Sequence, residues 1–114
     1  MVTADTCRQL AMALPNATAA PHFEKESFKI NNKIFATLNV ADSRACVKLS
    51  PIDQSVFCQF DKEVMYPVPN KWGTQGWTLI NLKKVKKSML QDALQTAYEE
   101  VLKKSQPKKK KDAD

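Results

Sequence analysis

Glycine is almost missing: 114 residues hold two, beside one histidine and three cysteines. So few glycines leave no Walker loop, no Gly-x-Gly-x-x-Gly fingerprint and no Gly-x-Ser-x-Gly elbow. One histidine excludes a His-rich metal cluster. Cys7, Cys46 and Cys58 lie far apart, without the close pairs of a zinc or redox site, so buried reduced thiols are expected and a metal or cofactor is not. A cysteine nucleophile would have to use His22, and no spacing selects its partner. No apolar run approaches membrane-spanning length, and residues 1–16 lack a basic segment followed by an apolar run and a cleavage site. A cytoplasmic, nonenzymatic protein with no membrane partner is the resulting expectation.

Hydrophobic residues make up 43% of the chain and charged residues 26%, in the ordinary globular range. The length suits one domain, expected over residues 1–104, with residues 105–114 a disordered lysine-rich tail. Net charge is +6; four lysines and two aspartates at the end supply +2 of it, leaving a mildly basic body.

Both glycines, both tryptophans and two of six prolines fall between Pro67 and Trp77. Glycine belongs where φ is positive or another group must come close, so this stretch is a shaped loop. Its tryptophans either pin the loop to the core or display a recognition surface.

The chain opens with a helix near 4–14, where Cys7, Leu10, Ala11 and Leu14 share a face. Residues 17–21 read as irregular. Phe28 and Ile30, then Ile34, Ala36, Leu38 and Val40, then Ala45, Val47 and Leu49 alternate with polar neighbours, giving strands of which the first two form a hairpin through Asn31-Asn32. One sheet face is then apolar, and the other carries Lys29, Lys33, Arg44 and Lys48 around Phe35. Ser50-Pro51-Ile52-Asp53 starts a short helix. A short strand at 64–66 precedes the loop. Trp77 to Leu82 forms a last strand, with apolar residues frequent enough to predict cover on both faces.

A closing helix from about Lys84 or Ser88 to Lys104 carries an apolar stripe of Leu90, Ala93, Leu94, Ala97, Tyr98, Val101 and Leu102. Lys83, Lys84, Lys86 and Lys87 crowd its start, where the dipole is already positive. They form either an anion site or, if Ser88 is the cap, a solvated connector.

Ala13-Leu14-Pro15, His22-Phe23-Glu24-Lys25, Phe28-Lys29-Ile30, Lys33 to Thr37, Val47 to Ser50 and Pro67 to Trp77 occur in an order that resembles the MmcQ/YjbR-like family of small bacterial proteins, from about Thr6 to Leu102. The resemblance implies a frataxin-like, double-wing α+β fold: an antiparallel sheet of about five strands packed on N- and C-terminal helices, with a short helix inserted mid-chain. It also brings a DNA-binding label. Iron handling does not carry over, because the first helix offers Asp5 as its single carboxylate.

Two readings follow. In the first, a monomer binds DNA with low sequence specificity: Lys29, Lys33, Arg44 and Lys48 meet phosphates, Phe35 and Trp72 meet bases, and Lys71 extends the basic surface. In the second, His22, Phe23, Lys25 and Trp77 line a cleft between the His22 loop and the Pro67–Trp77 loop that takes a small molecule or a protein partner. The lysines are equally those of a solvated sheet face.

Overall fold

The structure, a computed structural model, describes residues 2–22 and 25–105. In chain order it contains α1 (Ala4–Met12), β1 (Thr18–His22), β2 (Lys25–Ile30), β3 (Lys33–Asn39), β4 (Arg44–Lys48), α2 (Pro51–Cys58), β5 (Met65–Pro67), α3 (Lys71–Thr74), β6 (Trp77–Asn81) and α4 (Lys87–Ser105). The six strands form one antiparallel sheet in the order β1-β2-β3-β4-β6-β5. The α+β expectation holds with six strands in place of about five. The expected tail loses Ser105 to α4, and its remainder, residues 106–114, lies outside the described residues.

The additional strand is β1, where irregular chain was expected. Its Thr-Ala-Ala-Pro-His sequence has little strand propensity, but it pairs along β2 at the sheet edge. An edge strand leaves one side of its backbone unpaired, which is where Pro21 is tolerated.

Local chemistry sets the other boundaries. Thr3 caps α1 by accepting from the Thr6 N–H, and Ser50 caps α2 by accepting from the Asp53 N–H. Asn31 and Asn32 take φ of 53° and 66°, the left-handed pair of a tight hairpin turn. α4 begins at Lys87, between the two expected starts at Lys84 and Ser88, and the Leu90 N–H bonds to the Lys86 carbonyl, so the cap position is Lys86 rather than Ser88. The preceding turn is held by Asn81, whose carbonyl accepts from the Lys84 and Val85 N–H groups and whose side chain accepts from the Lys83 N–H.

Helices α1 and α4 pack on one face of the sheet, and α2 lies against β5. Phe28, Leu38, Val47, Met65 and Ile80 are buried in one core with Leu90, Leu94, Ala97 and Val101 of α4. Tyr98 closes that core. Its hydroxyl donates to the Pro15 carbonyl at 2.7 Å, and its ring meets Phe35 edge to face, with centroids 5.6 Å apart.

Phe35 is a correction. Strict alternation puts it on the solvent face, yet it is fully buried. The register between β2 and β3 shifts there: Phe28 pairs with Ala36, Lys29 with Ile34, and Phe35 is the extra residue of a β-bulge. Phe35 and Ala36 both turn inward. Ile34, expected in the core, is only half-buried. Val40, also expected in the core, lies beyond the end of β3 and is exposed.

β6 is the second correction. It is an inner strand whose Thr78 and Ile80 are buried, while Trp77 and Leu79 are only half-buried on the face the helices leave open.

Candidate ligand trough on the open sheet face

The open face takes every second residue of β3, β4, β6 and β5. Thr37, Cys46, Leu79 and Tyr66 form one row straight across these strands. Three hollows share lining residues here, two on this face and one at the sheet end beside α4. The largest, about 640 Å³, is lined by Ile34, Thr37, Cys46, Leu79 and Trp77, with Lys25 on one side and Val68, Asn70 and Trp72 on the other. Lys25, Thr37, Cys46 and Leu79 continue into a hollow of about 150 Å³ that also holds Asn39, Asp42 and Arg44. Ile34 and Trp77 lead the other way, into one of about 480 Å³ bordered by Lys33, Lys48 and Lys104. Together they make a trough with an apolar middle and cations at both ends.

The wall above the trough is the glycine-tryptophan segment. Asn70 caps the one-turn helix α3 by accepting from the Trp72 N–H at 2.8 Å. A Cβ on Gly73 would fall on the Val68 carbonyl oxygen, and one on Gly76 would fall on that of Leu49; Gly76 also has φ of +106°. Only glycine lets the backbone fold this tightly. Gln54 of α2 fixes the result from behind, its side-chain amide donating to the carbonyls of Gly73 (2.9 Å) and Trp77 (3.2 Å) and to the Thr78 hydroxyl. The Thr78 hydroxyl in turn donates to the Gly76 carbonyl at 3.0 Å. Of the two tryptophans, Trp77 lies half-buried in the trough and Trp72 stands 52% exposed at its rim.

The basic residues expected on this face separate into groups. Arg44 holds its place by donating from Nε to the Tyr66 hydroxyl at 2.8 Å. Lys48 arches over Gly76 and donates to the Gln75 carbonyl at 2.8 Å; burial, then the Lys104 charge, hold its ammonium below the ordinary lysine pKa, with Glu100 acting the other way. Lys33 pairs opposite the core residue Ile30, so it lies at the sheet end beside α4 rather than among the outer lysines. Lys29, opposite Thr18, lines none of the three hollows, and Lys71 is exposed next to Trp72. Phe35 is in the core and offers no ring to a ligand.

Of the expected cleft residues, Lys25 and Trp77 do line one hollow together. His22 ends β1 opposite Lys25, and Phe23 lies outside the described residues. The lysines before α4 do not gather into a site. Lys83, Lys86 and Lys87 are exposed, and Lys84 makes a 2.6 Å ion pair with Glu63 that holds its pKa above the ordinary value.

The chemistry of the floor is muted. Burial pushes the Cys46 thiol up to about 11, so it is neutral at physiological pH and a poor nucleophile. Among the described residues no group of three His, Cys, Asp or Glu side chains could hold a metal ion, and no helix is long and apolar enough to cross a membrane. Sequence reasoning missed Gln54, Glu100 and Lys104. The first acts through backbone groups, and the other two reach the trough from the helical layer.

Residues 12–100 match the model of the YjbR family. The crystal structure of protein DR2400 of Deinococcus radiodurans, whose domain is described as DUF419, is similar with a TM-score of 0.80 and 24% identity, over 95% of this chain and 84% of that one. That likeness is one of fold. No curated protein matches the chain.

Proposed function

The chain belongs to the YjbR family, and we propose that it is a nonenzymatic DNA-binding domain that holds a single strand along the open face of its sheet. The observation that carries this reading is the succession of neighbouring hollows: an aromatic middle at Trp72 and Trp77 between cationic ends at Arg44 and at Lys33, Lys48 and Lys104. Unstacked bases lie on aromatic faces whatever their identity, while lysines and arginines track the phosphates, so such a surface binds with little sequence preference. A duplex keeps its base faces stacked inside, where neither tryptophan can reach them.

Fluorescence titration of the two tryptophans with short single- and double-stranded DNA, at low and moderate salt, tests this. Single strands quench the emission and bind more tightly than duplex of equal length, and the affinity falls steeply as salt rises. Replacing Lys25 and Arg44 together by alanine weakens binding. Equal affinity for both forms, or no binding at low salt, refutes the reading.

A second reading is favoured by one feature. The middle hollow of about 640 Å³ has the size and apolar lining of a small-molecule site. A ligand that saturates it independently of salt supports that reading over the first.

A further inference from the structure

Where α4 ends, three elements bring positive charge to one hollow. Lys33 comes from the start of β3, Lys48 from the end of β4 and Lys104 from the last turn of α4, around a space of about 480 Å³. One carboxylate answers them: Glu100, almost fully buried, pairs with Lys104 at 3.0 Å. The cluster carries +2, reduced to about +1.5 by the negative end of the helix dipole. Asn32, in the hairpin turn beside Lys33, adds an amide, while Ile34, Val101 and Trp77 supply the apolar part of the lining. Lys48 is uncomfortable as it stands, since burial and Lys104 both work against its charge.

We propose that this hollow is a phosphate subsite, and that the ligand of the trough is a nucleotide whose phosphate lies among Lys33, Lys48 and Lys104 while its base lies against Trp77. Trp77 and Ile34 line both this hollow and the apolar one beside it, so the two spaces are neighbours that a planar ring and an anion joined by a sugar can span. Lysine ammonium groups with rotatable donors suit a phosphate approached as a point charge. The near-dianionic phosphate of a free monophosphate more than offsets the residual charge of the cluster, a strand phosphodiester with its single charge offsets most of it, and either relieves the repulsion between Lys48 and Lys104. The nucleotide is either free or one unit of the single strand in the preceding reading, on which the strand version rests.

The test follows the Trp77 indole N–H by nuclear magnetic resonance in a Trp72→Phe chain, titrated with deoxyadenosine 5′-monophosphate, with deoxyadenosine and with a six-nucleotide deoxyadenylate strand. The monophosphate is expected to shift the Trp77 signal and to bind roughly tenfold more tightly than the nucleoside. Lys33→Ala removes most of that advantage at an exposed position where the fold tolerates the change. Lys104→Ala does the same but lowers stability by leaving the buried Glu100 carboxylate without its partner, so it is paired with Glu100→Gln. Glu100→Gln has the opposite effect and tightens binding. Nucleoside and monophosphate binding equally, or lysine variants that leave the difference intact, overturns the subsite. A strand that binds with steep salt dependence while the monophosphate fails to reach Trp77 overturns the subsite and leaves the strand reading standing. A monophosphate that binds as expected, with a strand binding no better, confirms the subsite and removes the strand reading.

Discussion

At Gly76 a φ of +106° and a position where Cβ would strike the Leu49 carbonyl leave no room for any side chain. Gly76→Ala is expected to lower stability by roughly 1–3 kcal/mol from backbone conformation alone, with the clash adding to it, as read by denaturant unfolding. The aromatic residues divide in the same residue-by-residue way. Phe35→Ala opens a cavity in the core and is expected to cost about 3–5 kcal/mol of stability. Trp72→Ala changes stability by no more than about 0.5 kcal/mol, but weakens single-strand binding by roughly 1–3 kcal/mol if Trp72 stacks on a base. Stability and binding measured on both variants separate a core ring from a ligand-facing one. Arg8 and Glu26 give a prediction in pH. Arg8 donates to both Glu26 oxygens, at 2.7 and 2.6 Å, and holds that carboxyl below the ordinary glutamate value of 4.5. A folded-state pKa below the unfolded one stabilises fully above 4.5 and fades as pH falls through the folded value. Glu26→Gln should therefore melt below the parent chain at neutral pH, with the gap closing in acid.

The elements show what can be read from the chain and what cannot. Alternation located β2, β3 and β4, because a sheet with one covered face imposes period two on its sequence, whereas β6 showed as an apolar run whose expected cover on both faces does not hold. The same rule failed at Phe35, since a β-bulge reverses the alternation and nothing local announces one; the reversal sent Ile34 to the trough and Lys33 to the end by α4. β1 was invisible for a different reason. It is an edge strand held by pairing with β2 rather than by its own side chains. Part of the trough was legible: the glycine-tryptophan stretch marked its wall, and Thr37, Cys46 and Lys48 fell on the outer phase. Gln54 was not, because its contacts join α2 to α3 and β6 through carbonyl oxygens, and backbone acceptors leave no trace in residue type. Gln54→Ala is expected to leave those carbonyls and the Thr78 hydroxyl short of a donor, costing roughly 1–3 kcal/mol. It should also loosen the α3 wall, seen as faster amide exchange from Gly73 to Trp77.

On the scale of the whole molecule, the helices shield one side of the sheet and leave the other open, so the apolar burial that stabilises the fold and the surface proposed to bind a ligand occupy opposite faces. Charge follows the same division only loosely, since Lys104 reaches the trough from the helical layer. Three to five of the trough cations meeting phosphates give a single-strand salt slope of roughly −2 to −4 in log affinity against log salt. A chain ending after Ser105 retains every described element and is expected to keep most of that slope, because the four terminal lysines lie beyond it. The most direct measurement is a backbone amide chemical-shift map of that shortened chain with a six-nucleotide single strand. The trough account predicts perturbations at Ile34, Thr37, Cys46, Leu79 and around Trp72 and Trp77, with the core residues of α1 and Leu90, Leu94 and Ala97 of α4 unmoved. Perturbations confined to exposed helix residues, or none at low salt, would contradict it.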